Sequence, residues 1–485
     1  MSNVLVNLNP SSVFEYFEEM SNIPRGSGNE KAISDYLVAI AKKHNLEVVQ
    51  DDVLNVIIKK PATAGYENAP TVIIQGHMDM VCEKNKGTVH DFKKDPLKLR
   101  IIDDMIYATD TTLGADDGIA VAYALALLTS DDIPHPPLEV LVTVEEETGM
   151  DGAVGLDPKH LDGKFLINID SEEEGQLLVS CAGGITTRQI LPVSWEDVNK
   201  NDISYTINIS GLSSGHSGSD IDKGRGNSNK LMGRILNDLS SDFDYSIKSI
   251  DGGSKHNVIP RETTTVICIN PNDSIKLTEK INKWDTILKN ELRASDKGVA
   301  VKLEKCEDNT SKVFSKETMK KAIASLVLIP HGVQSMNMEM KNLVESSMNL
   351  AIITTTDTKV IFESSIRSSV QSLKYNILNQ AKMIADLLGC ELIESADYPE
   401  WAYDPDSKLR QLFEKVYQQK YGKSPEVSAI HAGLECGLFK EKNKDLDMVS
   451  FGPDMFDVHT ANEHLSISST QRTWEYLLDV LKEMR

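Results

Sequence analysis

Three largely apolar or β-branched runs mark the first part of the chain: Thr71-Val72-Ile73-Ile74, Leu138 to Val144 with one charged residue, Glu139, and Phe165 to Ile169 with one polar residue, Asn168. Runs without polar alternation are the pattern of strands buried on both faces. Between the first two lies Ile119 to Leu128, apolar on every side, which predicts a buried helix. Upstream, Ile33, Tyr36, Leu37, Ile40 and Ala41 recur at helical spacing from Glu30 to Lys43, and Leu46 to Val49 and Asn55 to Ile58 read as further strands. Strands alternating with helices predict an α/β domain with a largely parallel sheet. In such sheets, sites gather at the carboxyl ends of the strands.

The rhythm changes after Cys181-Ala182-Gly183-Gly184. Residues 187–396 read as strand, helix, strand, strand, helix, strand, and then as a second set with helices over 316–328 and 370–388. This predicts an inserted α+β domain of two related units, without a visible residue-level repeat. From 397 the first rhythm returns, with a helix over 407–421, strands at Val427 to Ile430 and Met448 to Phe451, and a last helix over 468–484. The expected organisation is one domain in two parts, 1–186 and 397–485, interrupted by the insert 187–396.

The polar residues at the ends of these runs carry the candidate chemistry. After Ile74 come His77 and Asp79, two apart, a spacing that puts both side chains on one face of extended backbone. A histidine with a neighbouring carboxylate suits a metal ligand with its orienting partner. Asp116 sits in the turn Leu113-Gly114-Ala115-Asp116-Asp117-Gly118, just before the buried helix; an N-cap aspartate is the plainer reading of that position. Glu145-Glu146-Glu147 follows the second run and Asp170 the third. Carboxylates packed at the ends of buried strands are costly unless cations neutralise them or one stays protonated. Each loop taken singly could be a solvated acidic turn; their repetition at four run ends favours one shared site. His459 and His464, in the loop after the last strand, are candidates for a further histidine ligand. In the insert, His216 lies in the Gly/Ser-rich stretch Gly211 to Gly218, Asn257 in a second polar loop, and Arg367 just beyond a strand ending at Ile366, where a guanidinium can clamp a carboxylate.

Composition narrows the partners. A chain of 485 residues exceeds one core, and its net charge of −22 comes with no long basic run, which argues against nucleic acid and anionic membranes. No apolar run approaches the ~18 residues of a membrane span, and MSNVLVNLNPSS has no secretory pattern. Six scattered cysteines, none in a CxxC pair, read as the reduced thiols of a cytoplasmic protein. Histidines and carboxylates without thiolates suit two Zn²⁺, Co²⁺ or Mn²⁺ ions sharing a carboxylate. Such a pair, about 3.5–4 Å apart, yields hydroxide near neutral pH, and a glutamate that is not a ligand can move its proton.

The segments GHMDMV, TVHDFKKDP, TTLGADDGIAVA, EEETGMDGA, INIDSEEEG, GHSG, NVIPRE and HAGLECGLF, with the loop around His459, resemble the aminoacyl-histidine (Xaa-His) dipeptidases of the di-zinc aminoacylase, dipeptidase and carboxypeptidase superfamily. The resemblance runs nearly end to end. It implies hydrolysis of unblocked dipeptides, including Xaa-His dipeptides such as carnosine, and a deacylase of N-acyl amino acids or an aminotripeptidase as the alternative. It implies that His77 and Asp170 hold one metal and Glu147 and His459 the other, with Asp116 bridging. Asp79 would orient His77, Glu146 would be the general base and acid, and His216, Asn257 and Arg367 would be substrate contacts on a lid. It also implies a cis Asp116–Asp117 peptide and suggests a homodimer. The family usually has Gly-Pro before the last histidine ligand; Asp457-Val458 precedes His459 here, which leaves His464 as the other candidate. A metal-free scaffold that keeps the fold is the reading from another functional class; competent ligands at every proposed position argue against it.

Overall fold

The computed structural model describes residues 4–306 and 311–485. The chain forms two compact units, the first of Met1–Ser180, Tyr403–Ala429 and Leu434–Arg485, the second of Cys181–Ala402 and Ile430–Gly433. The crossings fall at 180/181 and 402/403 rather than at 186/187 and 396/397. The cause is pairing: strand Gly183–Pro192 runs against Glu391–Tyr398, with Glu391 opposite Ile190 and Tyr398 opposite Gly184, so both belong to the insert's sheet.

In the first unit the apolar runs become β1 (Val72–His77), β2 (Leu138–Thr143) and β3 (Phe165–Asn168), joined by β4 (Asp447–Ser450). The eight-stranded sheet has the order Glu47–Gln50, Val56–Lys60, β2, β1, β3, β4, Gln176–Cys181, Glu426–Ile430. Its four middle strands are parallel, β2 to β1, β1 to β3 and β3 to β4. The flank at Glu47–Gln50 and Val56–Lys60 is antiparallel, as is the pairing of β4 with Gln176–Cys181. Every residue of β1 and β2 is buried, as strands covered on both faces must be. Helix α1 (Ala115–Thr129), apolar all round, packs on β1 and is buried along nearly its whole length. Helix α2 (Ile467–Glu483) buries one stripe, including Trp474, Leu477, Val480 and Leu481. Tyr123 of α1 stacks on Trp474 with ring centroids 5.5 Å apart, and its hydroxyl donates to the Thr470 carbonyl at 2.7 Å.

A small four-stranded sheet was not anticipated. Leu99–Ile102, Met105–Ala108, His464–Ser466 and Met455–Phe456 pair in antiparallel fashion. It fixes both ends of the segment that carries His459.

Beside a two-stranded pairing of Trp195–Asp197 with Lys312–Phe314, the second unit is built mainly on a nine-stranded sheet, with antiparallel pairing throughout its described ladders. The two sets of elements expected as separate α+β units share it, joined where Gly252 pairs with Ile353. One core runs through both sets, from Leu236, Leu239 and Ile267 to Leu326, Leu350, Phe362 and Leu378. Among the described residues no helix is long and apolar enough to cross a membrane, and no cysteine is in a disulfide.

Candidate metal centre and active site

β1 ends in His77, and Gly76 before it lets α1 approach. A Cβ at Gly76 would lie 2.4 Å from Asp117 Oδ2 and 2.6 Å from the Ala120 Cβ. That approach lets Asp117 Oδ2 accept the His77 N–H at 3.2 Å. α1 begins irregularly, with Asp116 (φ −77°, ψ 105°) and Asp117 outside helical geometry and the peptide between them cis. Among the described residues the Asp116 side chain makes no cap hydrogen bond with the helix; it faces His77 at the end of β1.

Asp116 is the centre of the constellation. Its Oδ1 lies 3.2 Å from His77 Nε2, and its Oδ2 lies 3.0 Å from His459 Nε2. Asp170 Oδ1 is 3.6 Å from the same His77 nitrogen, and Glu147 Oε2 is 3.0 Å from the same His459 nitrogen. Two triads of potential ligands therefore share one carboxylate: His77, Asp116 and Asp170, and Asp116, Glu147 and His459. Glu146 joins His77 and Glu147 in a third such grouping. His464 is elsewhere, stacked between Tyr107 and Phe456 with its Nδ1 on the Asn462 carbonyl. The loop reaches His459 with Asp457-Val458 directly before it and its Gly-Pro pair, Gly452-Pro453, further upstream; Asp457 and His459 themselves take left-handed backbone, φ 50° and 62°.

Asp79 stands behind this layer, fully buried. Its Oδ1 is 3.3 Å from His77 Nδ1 and accepts the Glu146 N–H at 3.1 Å; its Oδ2 accepts the Glu147 N–H at 3.3 Å and the Ser27 hydroxyl at 2.7 Å. One carboxylate thus orients the imidazole and fixes the main chain of both glutamates.

The charge balance asks for cations. Burial pushes Glu146 up to about 8, with Asp170, Glu147 and Asp116 adding to the rise against the pull of His77. Burial likewise pushes Asp170 to about 7 and, with Glu146, Glu435 to about 8. Asp116 moves the other way: His459 and His77 outweigh its burial and hold it ionised. The carboxylates of Asp116 and Glu147 raise His459 to about 11, and those of Asp116, Asp170 and Asp79 raise His77 against its own desolvation. The acids draw the imidazoles towards imidazolium, an attraction a divalent cation satisfies with neutral histidines. Glu147 Oε1 is buried without a hydrogen-bond partner, as an oxygen awaiting a cation is. A nitrogen-and-oxygen donor set with a shared carboxylate fits a pair of Zn²⁺-type ions.

Several supporting residues were not singled out from the sequence. Arg25, fully buried, donates to the carbonyls of Met78 (2.9 Å), Asp79 (3.2 Å) and Gly114 (2.5 Å). Glu463 accepts three backbone N–H groups of residues 113–115. Glu435 Oε2 accepts from Gln75 Nε2 and Thr143 Oγ at 2.6 and 2.8 Å, while its Oε1 has no hydrogen-bond partner. Arg25 hid in a Pro/Gly turn, and Glu463, four residues after His459, carries no mark in the sequence of the backbone groups it binds.

In the second unit, His216, Asn257 and Arg367 form their own group. His216 Nδ1 accepts the N–H groups of Gly218 and Ser219, both at 3.2 Å, so the ring proton sits on Nε2. Burial, then the charge of Arg367, pushes His216 down and keeps it neutral. The Asn257 carbonyl accepts the Ser217 N–H at 2.9 Å. Arg367 lies inside strand Lys359–Ser368, not beyond it, and is 7% exposed. Its Nη1 donates to the Tyr398 hydroxyl at 3.0 Å, and its Nε has no partner. Ser347, opposite Arg367 in the ladder, is 2.7 Å from His431 Nε2.

Residues 73–483 match the pattern of Peptidase family M20/M25/M40. The chain belongs to this peptidase family. The peptidase is 38% identical over 480 residues to the cytosol non-specific dipeptidase of Escherichia coli (strain K12), covering 99% of each chain. The crystal structure of the aminoacylhistidine dipeptidase from Vibrio alginolyticus superposes with a TM-score of 0.95 at 38% identity, over 99% of this chain and 98% of that one. An aminopeptidase from Bacillus cereus, 16% identical with a TM-score of 0.57 over 98% of this chain and 99% of that one, shares the fold.

Proposed function

We propose that this peptidase hydrolyses the peptide bond of unblocked dipeptides, including those with C-terminal histidine such as β-alanyl-histidine, with two divalent cations, Zn²⁺ before Co²⁺ or Mn²⁺. The observation that carries the proposal is the division of Asp116, one oxygen towards His77 and the other towards His459. In this reading His77, Asp116 and Asp170 hold one ion and Asp116, Glu147 and His459 the other. The names of the E. coli and Vibrio relatives support dipeptides as substrates, and the E. coli name supports a cytosolic setting. When bound, the cations supply Lewis acidity and a water nucleophile near neutral pH.

The chain's own residues do the rest. Glu146, held by its N–H on Asp79 Oδ1, takes the proton of the attacking water and returns it to the leaving amine. Asp79 keeps His77 in the tautomer whose Nε2 is free to ligate. His216 offers an Nε2–H to the developing oxyanion, and being neutral it does so without giving up its proton. Arg367 and Asn257 receive the carboxylate end of the substrate; a guanidinium with an unpartnered, buried Nε–H is suited to that contact.

The test is metal analysis of the purified protein together with a panel of β-alanyl-histidine, other free dipeptides, N-acetylated dipeptides and tripeptides. Two equivalents of metal and turnover confined to free dipeptides is the expected result. Turnover of the N-acetylated set or the tripeptides in preference would replace the substrate class, and full turnover after exhaustive chelation would remove the metal chemistry.

A further inference from the structure

The loop that presents Asp116 is held from both sides by residues that touch neither triad. Glu463 is 2% exposed. Its Oε2 accepts the N–H groups of Leu113 at 2.7 Å and Gly114 at 3.0 Å, and its Oε1 accepts that of Ala115 at 2.7 Å. These are the three consecutive amides immediately before Asp116. On the other side the Gly114 carbonyl accepts from Arg25 Nη2 at 2.5 Å. The other arm of the same guanidinium donates to the carbonyls of Met78 and Asp79, in the loop after His77. Gly114 makes the clasp feasible: its φ is 65°, and a Cβ there would lie 2.6 Å from Arg25 Nη2 and 2.8 Å from Met80 Sδ. Glu463 is itself tied to the His459 turn, its N–H donating to the Thr460 carbonyl at 3.1 Å.

Three loops that present His77, Asp116 and His459 are therefore joined through one buried carboxylate and one buried guanidinium. Building on the two-cation reading above, we propose that Glu463 is a positioning residue that sets cation affinity by holding Asp116 in register with His459. A free loop would have to be ordered when the ions bind, and that ordering would subtract from affinity. Preformed, the two oxygens of Asp116 already face the two histidines.

A plain helix cap predicts something different. A cap stabilises α1 whether or not metal is bound, and its loss lowers the melting temperature without changing metal affinity. Glu463→Gln separates the two, because the carboxamide must turn its NH₂ towards at least one of the three donors. Asp104 is the control: it accepts the Ser468 N–H at 3.1 Å and the hydroxyls of Ser466 and Ser468 at 3.0 and 2.6 Å, at the start of α2.

The experiment titrates Co²⁺ into the metal-free full chain, read by the visible d–d absorption and by stoichiometry, for the parent, E463Q, E463D and D104N, with melting of each metal-free protein by circular dichroism. The expected result is a folded E463Q that binds Co²⁺ about 10–100-fold more weakly, an intermediate E463D, and parental affinity in D104N. Parental Co²⁺ affinity in a folded E463Q would overturn the proposal. So would collapse of both Glu463 variants while D104N folds, since Glu463 would then serve the fold alone. A parent chain that takes up no Co²⁺ would instead bring down the two-cation reading, and that failure appears before any variant is compared.

Discussion

Replacing Glu146 by Gln separates proton transfer from metal binding. The main chain at Glu146 and Glu147 is fixed by N–H bonds to Asp79 of 3.1 and 3.3 Å, which do not involve the substituted side chain. Glu147 makes the 3.0 Å contact with His459 and belongs to the triad that shares Asp116; Glu146 belongs to neither triad around Asp116. The variant should therefore lose a general base and keep its ions. A positioned acid–base group contributes about 10²–10⁴ in rate, or about 3–5 kcal/mol of barrier. Initial rates on β-alanyl-histidine at saturating substrate should fall by that factor, while atomic absorption still finds two equivalents of metal. Glu147→Gln should show the opposite order, with loss of one equivalent leading the loss of rate. Equal loss of metal and activity in the Glu146 variant would show that the two glutamates exchange roles. A fall of less than about tenfold would refute general-base catalysis by Glu146.

Other perturbations test other parts of the site. The metal-free protein should become less stable as pH rises from 6 to 8.5. Glu435 and Glu146, pushed to about 8, and Asp170, pushed to about 7, stay protonated in the fold at pH values where the unfolded chain has released those protons above about 4. His459, raised to about 11, keeps a proton in the fold that the unfolded chain loses near 6.5. Both make the folded state the better proton binder, so unfolding free energy falls with pH. Melting after chelation at the two pH values checks the sign; a rise with pH would refute it, and saturating Zn²⁺ should flatten the difference. Arg367→Ala should raise KM for free dipeptides with a smaller change in kcat and reduce discrimination against C-terminal amides; unchanged discrimination would remove Arg367 from the carboxylate contact. His459→Ala should lose metal while His464→Ala, which alters a stacking residue, should not; metal analysis of the pair decides between them.

What could be read beforehand followed from how locally each feature is encoded. β1, β2 and β3 show as mainly apolar runs without regular polar alternation because strands buried on both faces leave little room for it. His77, Asp116, Glu146, Glu147 and Asp170 stand out because charge at the end of such a run needs a reason. The antiparallel flank of the main sheet was hidden, since Val56–Lys60 looks the same whichever way it pairs. The continuity of the large sheet of the second unit was hidden too: the Gly252–Ile353 pairing links segments a hundred residues apart, and periodicity says nothing about partners. The small sheet escaped because strands as short and open as Leu99–Ile102 carry no usable period. Arg367 looked like an end residue because Ser368-Ser369 after it resemble a loop, whereas both are buried, Ser368 within the strand and Ser369 at its exit. Arg25 and Glu463 could not be read because their partners are backbone groups, which the sequence does not distinguish.

The joining of β4 and the His459 loop to elements encoded before residue 180 has a bearing on the growing polypeptide. A chain on the ribosome holds His77, Asp116, Glu147 and Asp170 long before residues 459–463 have been synthesised. Until the ribosome passes that point, the second triad lacks its imidazole and the Asp116 turn lacks the carboxylate that steadies it. On the two-cation reading proposed above, fragments that stop short of residue 463 are expected to lack peptide cleavage, because it would begin only when late-made and early-made segments have folded together.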